Sequence, residues 1–169
     1  GVEQWSETFG GSDDDEGNSI QQTTDSGYII IGNTRLFTNG DDDVYLIKTD
    51  ENGVEQWSQT FGGSDEDEGN SVQQTIDGGY IITGGKEVQV GSSGGFDIFL
   101  KKIHSNGTEL WSHHYGGNGV YIGYSVQQTN DGGYIITGKV EPPNVNSYVY
   151  LIKTDAFGLV EWDEYFGGS

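Results

Sequence analysis

Two short runs in this chain carry the residue types that bind hard cations. Gly11-Ser12-Asp13-Asp14-Asp15-Glu16-Gly17-Asn18 and Gly63-Ser64-Asp65-Glu66-Asp67-Glu68-Gly69-Asn70 each set four carboxylates in a row between glycines, with an amide following. Calcium takes about six to eight oxygen ligands from a flexible loop. Asp-x-Asp-x-Gly supplies alternate carboxylates that point one way. The candidate metal ligands are therefore Asp13, Asp15 and Glu16 in the first run and Asp65, Asp67 and Glu68 in the second. The spacing is not that of an EF-hand, because the third ligand place and the closing glutamate do not match. The competing reading of the same residues is a solvated, solubilising turn. At the corresponding place in the third unit stands Gly116-Gly117-Asn118-Gly119-Val120-Tyr121-Ile122-Gly123, which has no carboxylate and is expected to bind no metal.

Other chemistry is sparse. His113 and His114 adjoin in a segment that reads as a strand, so they point to opposite faces and make a poor shared metal site. With three histidines and no cysteine, no nucleophile–base set can be assembled, and Cys-ligated metals and disulfides are excluded. None of the 29 glycines forms a phosphate loop leading into a helix. No catalytic or organic-cofactor residues are assigned.

The elements that must hold the acidic runs are given by internal repetition. Trp5, Trp57, Trp111 and Trp162 each follow a glycine by four residues, at intervals of about fifty, a period that marks propellers and β-arrays. Between them recur Phe-Gly-Gly at 9 and 61, Ser-Ile/Val-Gln-Gln-Thr at 19, 71 and 125, and Asp-Ser/Gly-Gly-Tyr-Ile-Ile at 25, 77 and 131. Each unit predicts four short strands. In the second these are A (70–75), B (79–84) and C (97–104), preceded by D (55–61) of the first. The Asp-Gly turn after strand A signals a hairpin, and no helical period intervenes. Strands B and C are apolar at consecutive positions, as expected where both faces of a sheet are covered. The division is thus an orphan outer strand with its acidic loop (1–15) and three four-stranded antiparallel blades at 16–67, 68–121 and 122–169. The fold class is all-β, a set of β-propeller blades with one extra N-terminal outer strand. In such blades the D–A and B–C loops share a rim, which would bring Asp13 to Glu16 near Asp41 to Asp43, and Asp65 to Glu68 near Glu87 or Asp97.

These residues carry a resemblance. Asp77-Gly78-Gly79-Tyr80-Ile81-Ile82-Thr83-Gly84 and Leu46-Ile47-Lys48-Thr49-Asp50-x-x-Gly53-x-x-x-Trp57 resemble the secreted β-propeller repeats of bacteria and archaea. The second motif is also similar to the tryptophan-docking motif of quinone-dehydrogenase propellers. That resemblance implies blade packing by Trp5, Trp57, Trp111 and Trp162. It also implies a weaker staple in the middle unit, where His104 stands in place of Asp50 and Asp155.

Net charge completes the expectations. With 27 acids against 7 basic residues and a net of −20, the chain is a poor partner for nucleic acid or anionic membrane. No apolar run has the length of a membrane span. Methionine is absent even at position 1, which marks a processed product or a piece of a longer propeller. The reading is a non-catalytic extracellular or cell-surface module with a structural or recognition role, calcium as its cofactor, and protein or glycan as its partner. Further partners would be other copies of itself or missing blades of the same polypeptide. The alternatives are the propeller domain of a secreted quinone-dependent dehydrogenase, lyase or glycosidase, and a subunit of an extracellular filament or lattice.

Overall fold

Repeated Gln-Gln-Thr-x-Asp-x-Gly-Tyr segments fold as hairpins, and three such hairpins seed three antiparallel meanders. The computed structural model describes residues 1–35, 41–90 and 93–167; the ends of the expected blades at 168–169, and 36–40 in the first, lie outside the described residues. The first meander is β1 (Asp15–Gln22), β2 (Tyr28–Thr34), β3 (Asp43–Thr49) and β4 (Glu55–Phe61), hydrogen-bonded in that order. The second is β5 (Asp67–Gln74), β6 (Tyr80–Val90), β7 (Ser93–Ile103) and β8 (Glu109–Tyr115). The third is β9 (Val120–Gln128), β10 (Tyr134–Glu141), β11 (Tyr148–Thr154) and β12 (Val160–Phe166). One parallel bridge, Phe96 to Val120, joins the second and third into an eight-stranded sheet. The chain is all-β, and every other pairing is antiparallel.

The apolar residues make two layers between the three meanders. Ile29, Ile31, Val44 and Leu46 of the first meander meet Tyr80, Ile82 and Phe99 of the second. Alternate residues of the same second-meander strands, Ile81, Ile98 and Leu100, turn the other way to meet Tyr134, Ile136 and Ile152. Consecutive apolar positions thus serve two cores at once in the middle sheet. In the outer sheets one face has no meander against it, and Ile30 and Ile135 there are only half-buried.

The first strands of the units differ from the expectation in a systematic way, and β6 and β7 run past the expected 79–84 and 97–104. β5 begins at Asp67 and β1 at Asp15, inside the acidic runs, so Asp15, Glu16, Asp67 and Glu68 are strand residues rather than loop residues. The cause is a bulge, between Gly69 and Ser71 in β5 and between Gly17 and Ser19 in β1, which lets the ladder continue past it. The bulge drives a carbonyl onto the neighbouring strand: a Cβ on Gly84 would lie 1.7 Å from Glu68 O, and one on Gly32 equally close to Glu16 O. Only glycine fits there.

The extra N-terminal outer strand is not formed. Residues 1–10 have no ladder partners; their Trp5 lies on Gly53 and Tyr28 of the first meander instead.

Candidate functional site

The acidic rim assembles from hairpin ends. Arg35 reaches across it, its Nε 2.5 Å from Asp42 and its Nη1 3.5 Å from Asp14, so the first acidic run does neighbour Asp42. Backbone bonds knit the next run in: Asp67 N donates to Asp42 O at 2.7 Å and Glu87 N to Glu66 O at 2.7 Å. Glu66 is crowded in consequence. Burial raises its carboxyl from the ordinary value, and the charges of Asp42, Glu87 and Asp41 raise it further. Glu68 is raised likewise, by burial and then by Glu66, Asp42 and Glu16.

The six predicted ligands do not share one environment. Asp13 and Asp65 are exposed, as is Glu16. Asp15 accepts a bond from Gly11 N at 2.8 Å. Asp67 is buried and paired with Lys86 at 3.3 Å, burial raising its carboxyl and Lys86 opposing the rise. Among the described residues, no three His, Asp or Glu side chains stand close enough to hold one ion as placed. The charges of Asp42 and Glu87 converge on Glu66, which is not one of the six. Lys86, directly opposite Asp67 in the β5–β6 register, is the signal that could have shown Asp67 to be engaged. In the third unit Asn118 lines an open groove of about 700 Å³ with Glu141, Pro142, Asn144 and Asn146. Glu141, the carboxylate of that lining, pairs with Lys139.

Away from the rim, a second set of polar groups recurs between units. Gln74 N donates to Gln21 Oε1 at 2.6 Å, while Thr24 N donates to Gln74 Oε1 at 2.8 Å. One unit on, Gln128 N donates to Gln73 Oε1 and Ile76 N to Gln128 Oε1. Asn18 Nδ2 donates to Gly69 O and Asn70 Nδ2 to Gly123 O. Each glutamine therefore satisfies backbone groups that a sheet edge facing another sheet would leave unpaired.

The tryptophans extend the same pattern. Trp57 packs on Gly107 and edge-on to Tyr80 at 5.9 Å, and Trp111 packs on Gly158 and Tyr134 at the same distance. Trp5 packs on Gly53 and Tyr28, also at 5.9 Å. Those glycines have φ of 82°, 89° and 81°, and the indole occupies the space a Cβ would need. Trp162 is 45% exposed. His104, expected to weaken the middle staple, is compensated. Asp50 Oδ1 accepts from both Asn52 N and Val54 N, whereas at the middle turn His104 Nδ1 accepts from Asn106 N and Asn106 Oδ1 from Thr108 N. His113 meets the Phe157 carbonyl at 2.9 Å, and His114 is exposed on the other side of the strand.

A third recurrence lies under each hairpin. Lys48, Lys102 and Lys153 are buried and pair with Asp25, Asp77 and Asp131. Each aspartate also accepts from a threonine hydroxyl two residues before it and a glycine N–H two after. The carboxyl of Asp25 is lowered to about 2 by Thr23 and Lys48. For Asp77 burial acts upward, but Lys102, Thr75 and Gly79 N overcome it and hold the group at about 2. Three copies of one knot are architecture rather than a reactive centre. No protein-family model matches the chain, and no curated protein is significantly similar to it.

Proposed function

We propose that this chain is a β-propeller repeat module of an extracellular or cell-surface protein, with a structural and recognition role and an acidic rim that takes calcium. The observation that carries the reading is the contact between successive meanders, made twice from equivalent residues: Trp on Gly and Tyr, Gln to backbone, Asn to Gly carbonyl. Sheets stacked face to face through a repeated interface are how propeller blades are built. The resemblance to secreted propeller repeats agrees with it.

Calcium is supported by crowding. Burial and then the charges of Asp42, Glu87 and Asp41 raise the cost of ionising Glu66, and burial and then Glu66, Asp42 and Glu16 raise that of Glu68, where Arg35 and Lys86 supply the nearby positive charge. A divalent cation would relieve that repulsion and offer hard oxygen chemistry its preferred partner. Calcium at millimolar concentration is expected to raise the melting temperature more than magnesium at equal ionic strength, and Glu66→Gln is expected to remove most of the difference. Calcium, magnesium and sodium giving equal melting curves at matched ionic strength would leave the rim a solvated surface only.

A further inference from the structure

We infer that the third unit of one copy docks on the first unit of a second copy, and that residues 1–10 are a plug which this docking displaces. The inference rests on the propeller reading for the stacking geometry and deepens it by naming the partner.

The internal contact supplies the template. The face of the first unit that no meander covers carries Tyr28, Ile30, Tyr45 and Ile47, the register equivalents of Tyr80, Ile82, Phe99 and Lys101, which in the second unit face the first. The open face of the third unit carries Ile135, Val149, Leu151, Trp162 and Phe166, equivalent to Ile29, Val44, Leu46, Trp57 and Phe61, which pack on the second unit. Val149, Trp162 and Phe166 are each about half exposed or more (54%, 45% and 53%). The two open faces are therefore the two halves of a contact the chain already makes twice. The hydrogen-bonding groups match too. Gln127 is placed to accept from Gln22 N of the second copy, and Gln22 to accept from Asn130 N, as Gln73 and Gln128 do internally. All three residues are exposed. One bond is not reproduced, since Tyr124 stands where Asn18 and Asn70 donate.

Residues 1–10 already hold part of that site. Residues 1–12 repeat 53–64 with one difference, Glu7 for Gln59, and 158–169 follow the same Gly-x-x-x-Trp frame. Trp5 lies on Gly53 and Tyr28, the place that Trp162 of a docked copy would take, and Phe9 lines the space over Ile30 and Tyr45. The plug has no strand ladder, whereas β12 has one along β11. In a contest for the slot the segment backed by a sheet wins, because it brings ordered hydrogen bonds and the Ile135 face with it. Net charge of −20 per copy opposes association, so docking strengthens as salt rises.

The test uses the 169-residue chain in sedimentation equilibrium from low to high salt. Two equivalent tryptophans are expected to act with opposite sign. Trp162→Ala lowers the association constant by about tenfold or more, the usual loss for a buried interface tryptophan, and Trp5→Ala raises it. A wild-type chain that stays monomeric at high concentration and high salt, or a Trp5→Ala variant that associates less well than wild type, overturns the proposal. Since the chain has no cysteine, a mixture of Gln127→Cys and Gln22→Cys chains joined by a short bis-maleimide gives a readout independent of the tryptophan variants. A heterodimer crosslink is expected, and its absence counts against docking. Failure here, with a cooperative monomeric melt that still responds to calcium through Glu66, leaves the module reading standing and removes only the second copy.

Discussion

Asp77→Ala should destabilise the chain more than Lys102→Met, although the two remove opposite ends of the same ion pair. Lys102 is 5% exposed, whereas the Asp77 side chain is 57% exposed. Removing the carboxylate strands a buried ammonium whose remaining partner is Thr75 Oγ1 at 2.7 Å. An uncompensated buried charge costs about 3–5 kcal/mol, and the surviving hydroxyl places Asp77→Ala near ~3 kcal/mol. Removing the lysine instead lets Asp77 rehydrate while it keeps the bonds from Thr75 and Gly79 N. Methionine fills the vacated stem, so Lys102→Met should cost ~1 kcal/mol or less. The other units grade the effect. Lys48 retains Thr49 O at 2.6 Å and Gln56 Oε1 at 3.2 Å, so Asp25→Ala should cost less than Asp77→Ala. Lys153 retains Thr154 O and the Glu161 carboxylate, so Asp131→Ala should cost least. Urea unfolding followed by circular dichroism, with slopes checked for constancy, measures the series. Equal losses at the three aspartates, or a larger loss for Lys102→Met than for Asp77→Ala, would refute the argument that the stranded buried ammonium dominates.

Two further outcomes follow from the same geometry. Trp57→Ala opens the contact between the first two units, and for a half-buried indole should cost ~2–3 kcal/mol, whereas Trp162→Ala in the monomer should stay within about 0.5 kcal/mol; thermal melts at low concentration separate them. Stability against pH should peak in the acid range. Asp25 and Asp77, depressed to about 2, contribute stability that is present above their unfolded value of 3.8 and lost as pH falls through about 2. Glu66 and Glu68, raised, contribute stability fully present below their unfolded value of 4.5 and lost as pH rises through their folded values. The melting temperature is therefore expected to be highest between those two unfolded values and to fall on either side, with concentrated salt flattening the upper limb. A melting temperature that climbs steadily to neutrality contradicts the sign assigned to the rim.

Much of the architecture was legible because the repeat states it several times. Asp-Gly-Gly-Tyr marks each hairpin, and the consecutive apolar pairs such as Ile81-Ile82 mark strands covered on both sides, which holds in full only for the middle sheet. What escaped was tertiary. The Gly-Gly at 84–85 reads as a strand end, yet β6 runs on to Val90, because the glycine is there to admit a bulge carbonyl and not to turn the chain. Asp67 reads as a loop ligand until Lys86 is placed opposite it, and pairing register is not visible in one segment alone. Residues 1–10 have strand sequence and no strand, since ladder formation depends on a partner and not on propensity. His104 reads as a weakened staple because the acceptor for Thr108 N is the side chain of Asn106, a position from which the other turns contribute a backbone donor, Asn52 N or Phe157 N.

The division of labour between charged and neutral groups follows from these contacts. The recurring inter-unit bonds are made by Gln, Asn, Trp and Tyr, none of which carries charge at neutral pH, and a cation there, Lys101 over the Phe61 ring, meets an aromatic face, so these contacts add no like-charge repulsion at the seam. The acids of the first two runs gather instead on the rim, where Arg35 and Lys86 offset a small share of them. A seam without like-charge pairs can be repeated without accumulating repulsion, whereas a rim of one sign becomes more acidic with each unit that carries the run. The third unit, with Gly119, Val120, Tyr121 and Ile122 where the others have carboxylates, interrupts that accumulation while keeping Gln127, Gln128 and Trp162 at the repeat positions of the seam residues. Among the three units the seam residues recur while the rim residues change, so a recognition role of the kind proposed above would be carried by the residues that do not repeat.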